Sequence, residues 1–309
     1  MHARSSAAIG VFNAEGHWNK TECLASTTYV VNYLVPALAC RIQSPGTSCG
    51  EFQMSRSMTT VDREVGTWAD RVVVVTGGTS GIGREFVAYL ASAGAKVIAC
   101  ARNEAALHEL QSQYPAIEAL RCDITSQEHL LALQEAIQNR YGKVDVLINN
   151  AGIMEKVDLL EATVSDDRIA HEVAVNLTGP ILLTRRLLPL LRSGSSPMIV
   201  MITSGYALLP ATRAPTYSAT KAGLRSFTMA LRRQLRGVGI RVVEVLPPLV
   251  DTPATSSVRK AKMSPKALVD RVFRDIAVGR DEILPGKVGL LPILMRIAPA
   301  FAARQVARS

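Results

Sequence analysis

Tyr217 and Lys221 stand four residues apart in PTYSATKAGL (215–224), with only Ser218, Ala219 and Thr220 between them. Four places make one helical turn, so a phenol and an ammonium would share one helix face. A partly buried tyrosine beside a solvated lysine is common on helices, and the pair alone carries no function. Thirteen residues before Tyr217, Ser204 closes the apolar run MIVMITS (198–204) and adds a second hydroxyl. A free phenol, with a pKa of about 10, exchanges protons poorly near neutrality, so any acid–base use of Tyr217 would need a neighbour that favours the phenolate.

The elements that must hold these groups alternate from residue 70 onward. RVVVVT (71–76), AKVIAC (95–100), IEALRCD (117–123), VDVLINN (144–150), MIVMITS (198–204) and IRVVEVLP (240–247) are short β-branched runs. Helices are expected between them, over about 82–93, 103–114, 126–141, 165–192 and 215–237. Such alternation implies right-handed βαβ crossovers: an α/β, doubly wound Rossmann-type fold whose parallel β-sheet carries helices on both faces. After a loop, Ser264 should cap a further helix with Pro265 as its first residue. The stretch 289–309 is apolar and carries Arg296, Arg304 and Arg308 without an acid. Its two prolines forbid one straight helix.

The chain has 309 residues and a net charge of +9, and the first 67 residues are balanced at five basic and five acidic. The basic excess therefore lies in the α/β region, where no arginine-rich arm or aromatic-basic interleaving points to nucleic acid. Five cysteines without CxxC or zinc-type spacing read as reduced thiols and a cytoplasmic location, and no metal site is expected. The most apolar early stretch, TTYVVNYLVPALAC (27–40), is too short to span a membrane and is broken by Asn32 and Pro36. Residues 1–57 read as an irregular extension, with Met58 as an internal start. The catalytic domain is expected over 58–285 and an apolar basic tail over 286–309.

VVVVTGGTSGIGREF sets Gly77, Gly81 and Gly83 directly after a strand and at the mouth of a helix. Glycine there permits a sharp turn and close approach to a diphosphate, and the helix N-terminus offers free N–H groups. At the end of the second strand, where an acid would receive ribose hydroxyls, the chain has Ala101 followed by Arg102. An arginine at that place suits a 2′-phosphate, so NADP(H) is expected over NAD(H).

TGGTSGIG (76–83), NNAG (149–152), Ser204, YSATK (217–221) and a proline-rich turn at 247–252 occur in the order typical of short-chain dehydrogenases/reductases. Over about residues 70–255 the chain resembles the compact branch of that family. The resemblance implies that Tyr217 is the general acid or base, with Lys221 lowering its pKa and holding the nicotinamide ribose. It implies that Ser204 orients the substrate carbonyl, and that Asn176 in VAVNLTG supports a water relay. Thr203 is the weaker hydroxyl, because successive strand residues face opposite ways. For the cofactor, the resemblance brings in Thr79, Ser80 and Ile82 of the glycine-rich turn, and Asp123 with Ile124 after the third strand. Asp123 fits adenine contact or helix capping equally. Asn150, Ala151 and Gly152 would run along the cofactor, Asn150 being as readily structural. The family's usual Pro-Gly pair is here LPPLVDT, with Pro248 in place of glycine, as in a subgroup of oxidoreductases with a PPxVDT turn. Val250 and Thr252 still stand where the carboxamide would meet the chain.

The residues after Ser204, together with Ile153, Met154 and Leu249, are mostly apolar, with Tyr206, Thr212 and Arg213 as polar handles. They favour a hydrophobic carbonyl or alcohol substrate. Residues 253–268 read as a flap. The tail is expected as the last packed helix, ahead of covering a pocket or lying on a membrane. Helices 165–192 and 215–237 suit a homodimer or homotetramer. The rival reading is an NADP-binding sensor or scaffold of the same fold that does no chemistry.

Overall fold

Val72–Thr76 (β1) is buried at every position, which requires cover on both faces of its sheet. Around it lie Lys96–Ala101 (β2), Glu118–Arg121 (β3), Val146–Asn149 (β4), Met198–Ile202 (β5), Arg241–Val245 (β6) and Glu282–Ile283 (β7). They form one parallel sheet in the order β3-β2-β1-β4-β5-β6-β7. This computed structural model describes residues 68–155, 159, 161 and 164–300, plus two short strands nearer the N-terminus. Met1–Thr59 and Thr60–Ser309 are separate units, and in the first Val11–Phe12 pairs antiparallel with Trp18–Asn19. The expected boundary at Met58 falls outside the described residues, as do Cys23, Cys40, Cys49 and the end of the tail beyond residue 300.

The helices are Gly81–Ser92 (α1), Glu104–Gln113 (α2), Gln127–Tyr141 (α3), Asp166–Val173 (α4), Gly179–Arg192 (α5), Pro215–Leu235 (α6), Pro265–Ala277 (α7) and Leu291–Ile297 (α8). Alternate residues of β1 feed two cores. Val73 and Val75 pack with Phe86 and Leu90 of α1 and Val272 and Phe273 of α7. Val72 and Val74 pack with Leu133 and Ile137 of α3, Leu187 of α5 and Leu224 of α6. Each such buried side chain contributes about 1.5–3 kcal/mol of transfer free energy. Ser264 accepts from Ala267 N at 3.1 Å and Pro265 opens α7, as the sequence predicts.

Two departures concern the site. The single helix expected over 165–192 is broken by a π turn, Ala174–Thr178, which carries Asn176. One extra residue in that turn changes the direction in which later side chains point. The stretch expected as a flap, 253–268, is held at its ends, and its last residues belong to α7. Val250 bridges to Met263, Lys262 Nζ lies 3.1 Å from Asp251 Oδ1, and α7 begins at residue 265.

A buried polar web fixes β5 and α6, the two elements that present the expected acid–base groups. Thr203 Oγ1 donates to Glu244 Oε1 at 2.8 Å, and Arg225 Nη1 of α6 reaches Glu244 Oε2 at 2.7 Å. Arg225 Nη2 extends to Glu282 on β7 at 2.6 Å, while Arg232 Nε donates to Val242 O at 2.7 Å. Charge-assisted bonds of this length hold the helix in register on the strands.

Candidate active site

Tyr217 lies in the first turn of α6 and Lys221 one turn on, while Ser204 sits just past the C-terminal end of β5. All three line one cleft of about 330 Å³ at the carboxyl ends of the strands. Thr203 lines the cleft as well, but its hydroxyl is spent on Glu244, so Ser204 is the hydroxyl available there. Ser204 Oγ accepts the Tyr206 N–H at 3.1 Å, which leaves its own proton free to donate. Lys221 is 3% exposed; its Nζ donates to Ile202 O at 3.0 Å and lies 5.7 Å from the centroid of the Tyr217 ring.

Burial dominates the electrostatics of the pair. It lifts the Tyr217 phenol to about 12, against a hydrogen bond from Ser204 that favours the phenolate, and the Glu172 charge adds to the rise. It pushes Lys221 down to about 8, with Glu172 resisting. Tyr217 is half-buried along the open cleft, so water there moderates the upward push. Burial is the largest influence on both groups, with Glu172 acting on each in the direction that retains its proton.

The glycine-rich turn has the conformation its composition implies. Gly77 and Gly81 adopt φ of +65° and +52°, the left-handed region open to glycine. A Cβ on Gly83 would meet Gly77 O at 2.1 Å. Ser80, at the N-cap of α1, makes no side-chain capping bond, so it leaves the first N–H groups of the helix open. Those free donors beside a backbone that can approach closely fit a diphosphate. Gly77, Ser80, Gly81 and Ile82 line the cleft together with Asn150, Gly152, Val250 and Thr252. Pro248, standing where glycine was expected, lines it too.

Other expected residues are placed elsewhere. Thr79, Gly83 and Ala151 do not line the cleft, and Gly83 is buried beneath the turn. Asn150 is structural as well as lining: its Nδ2 donates to Thr76 O at 2.9 Å and to Gly77 O at 3.3 Å. Ile124 is 6% exposed and packs against Gly179, so its side chain serves the core. Asp123 does not cap α3, which Ser126 does; it accepts from Thr125 N at 2.9 Å and Thr125 Oγ1 at 2.7 Å. Burial raises the Asp123 carboxyl, but those bonds and the Arg102 charge prevail and hold it below its ordinary value. Arg102 is exposed beside Asp123, its Nη1 3.4 Å from His171 Nε2.

Asn176 is fully buried and spends its amide on structure. Oδ1 accepts from Ile153 N at 2.9 Å, and Nδ2 donates to Ile153 O at 2.8 Å and to Thr220 Oγ1 at 3.3 Å. Thr212 and Arg213 are exposed and outside the cleft, because the chain turns outward after Ala211. Leu209, Val288 and Leu291 join Ile153, Met154, Tyr206 and Leu249 in the wall. The start of the tail thus covers the pocket of its own chain. Its alternating apolar residues were the available signal, but nothing local says which surface they meet.

The family model described as short chain dehydrogenase matches residues 71–263. An uncharacterized oxidoreductase, DltE, of Bacillus subtilis is 38% identical over 183 residues, which cover 59% of this chain and 73% of that protein. A short chain dehydrogenase from Burkholderia cenocepacia, solved in complex with NADP, superposes with a TM-score of 0.70 at 25% identity, covering 78% of this chain and 99% of that one. A 3-ketoacyl-(acyl-carrier-protein) reductase from Brucella melitensis, complexed with NADH, gives a TM-score of 0.65 at 28% identity over 70% of this chain and 96% of that one.

Proposed function

The chain belongs to the short chain dehydrogenase family, and from that premise we propose that it transfers hydride between NADPH and the carbonyl of a hydrophobic small molecule. One observation carries the reading: Tyr217, Lys221 and Ser204 converge in a single cleft with the glycine-rich turn. The nicotinamide supplies the hydride when bound. The N-terminal N–H groups of α1 and the close-packed Gly77–Gly83 turn would hold the diphosphate, and Thr252 and Val250, which line the same cleft, would meet the nicotinamide end.

In the reducing direction Tyr217 gives its proton to the carbonyl oxygen, and the Ser204 hydroxyl donates to the same oxygen, fixing the carbonyl for attack. Lys221, anchored on Ile202 O, keeps its remaining protons for the ribose and for the phenolate left on Tyr217. Because the Asn176 amide is committed to Ile153 and Thr220, its share of a water relay falls to the main chain of the π turn. Arg102, exposed just past the end of β2 beside His171 and Asp123, could turn toward a 2′-phosphate, which supports NADPH over NADH. Oligomerisation through the outer faces of α4–α5 and α6 belongs to the same reading.

The wall of Ile153, Met154, Leu209, Leu249, Val288 and Leu291 selects an apolar substrate, with Tyr206 adding an aromatic hydroxyl beside that of Tyr217. NADPH consumption across apolar ketones, apolar aldehydes and free sugars tests this. Turnover confined to the apolar members is expected, and a preference for sugars would overturn it.

A further inference from the structure

Glu172 is a buried acid beside the reacting pair to which the scheme above gives no work. It lies on α4, one turn before Asn176, and is 1% exposed. Its Oε1 accepts the Glu155 N–H at 2.9 Å, while Oε2 is buried with no hydrogen-bond partner among the described residues. A buried carboxylate oxygen without a donor is costly, and a chain keeps one most cheaply by leaving the group protonated or by facing it with a cation. The groups facing it come from two elements. The segment after β4 brings Glu155, itself paired with Arg168 of α4 at 2.6 Å, and α6 brings Lys221 and Tyr217. Burial and then Glu155 raise the Glu172 carboxyl above its ordinary value, against the Lys221 charge and the Glu155 N–H bond.

Resting on the proposed function, we propose that Glu172 is a positioning residue that acts as a buried charge switch behind Tyr217 and Lys221. Ionised, it keeps protons on both groups and opposes the phenolate. Neutral, it releases that hold, so the phenolate forms more readily. No bond to substrate is involved; the carboxyl gains or loses a proton to solvent, and its charge acts across the direct packing of α4 on α6.

Glu172→Gln removes the charge while keeping an oxygen for the Glu155 N–H. In pH profiles of kcat/KM for alcohol oxidation, which needs the phenolate, wild type and variant should coincide at the acid end and diverge as Glu172 ionises. There the variant's rising limb should sit about half a pH unit or more lower, a threefold or larger gain in rate. Glu172→Asp keeps the charge and weakens the tether, and should hold the wild-type limb. A uniform offset at all pH values, or no difference, would overturn the proposal in favour of a tether alone.

A second arm needs neither cofactor nor turnover. A double-mutant cycle of Glu172→Gln and Lys221→Met, read by melting of the ligand-free chain, should show coupling at pH 7 that vanishes where Glu172 is protonated. Additivity at every pH would overturn the proposal whatever the enzyme acts on. Coupling without turnover would instead sink the proposed function and leave the switch standing.

Discussion

Gly83→Ala tests whether the turn beneath the cofactor site is as tight as its geometry implies. The added Cβ would lie 2.1 Å from Gly77 O, 2.5 Å from Asn150 Nδ2 and 2.8 Å from Gly77 C. Two of these are backbone, and the third is held by bonds to Thr76 O and Gly77 O, so no free side chain can swing aside. In an ordinary helix the change would help, since alanine exceeds glycine by about 1 kcal/mol. Against that gain stand overpacking of about 1–3 kcal/mol and the loss of Asn150 bonds worth about 1 kcal/mol each. The net destabilisation is about 2–4 kcal/mol, at roughly 2–4 °C in Tm for each kcal/mol in a domain of this size. Because the strain falls on the turn itself, NADPH affinity should drop at least about tenfold, the equivalent of 1.4 kcal/mol. Gly237→Ala is the control: nothing lies within 4 Å of its added Cβ. Melting scans and NADPH fluorescence titrations on both variants decide it. A Gly83→Ala protein that melts and binds like the Gly237→Ala control would refute the reasoning.

Arg102→Ala should weaken NADPH binding by about tenfold or more, the worth of a charge-assisted phosphate contact, and leave NADH nearly unchanged; equal losses would remove the 2′-phosphate assignment. Thr203→Val should cost about 1–3 kcal/mol by depriving the buried Glu244 of a donor, while kcat/KM stays within a few-fold, because the Thr203 hydroxyl is turned to Glu244. A large loss of turnover without a loss of stability would contradict that orientation. Lys221 is held near 8 against an ordinary 10.5, so below pH 8 the fold bears the cost of a buried ammonium, and that cost is relieved as pH rises from about 8 toward 10.5. The ligand-free wild type should therefore gain stability over that window relative to Lys221→Met; parallel melting curves across it would show that Lys221 is not desolvated.

The sheet was legible because its signals are local. Runs such as VVVV and VLIN are buried on both faces, and glycine spacing fixes the turn that follows β1. Thr203 and Ser204 were separable because a strand alternates its faces. The π turn at Ala174–Thr178 left no such mark, since one added residue barely disturbs a 3.6-residue period and AVNLT reads as plain helix. β7 escaped notice because two residues carry no period. Glu172 reads as an ordinary polar helix position, and only the fold reveals that it faces inward toward α6. Val288 and Leu291 reach the cleft from some 70 residues beyond Tyr217, a contact that no local pattern encodes. Thr212 and Arg213 erred the other way: they are near Ser204 in sequence, yet a turn carries them into solvent.

The central claim is that Tyr217 exchanges the proton of a hydride transfer. Its most direct test is NADPH oxidation with an apolar ketone by wild type and Tyr217→Phe, alongside NADPH binding by each. The account predicts turnover in the wild type, loss of about 10²-fold or more in Tyr217→Phe, as expected for removing a general acid, and closely similar NADPH affinity. A Tyr217→Phe protein that turns over at the wild-type rate, or that fails to bind NADPH while the wild type does, would contradict it.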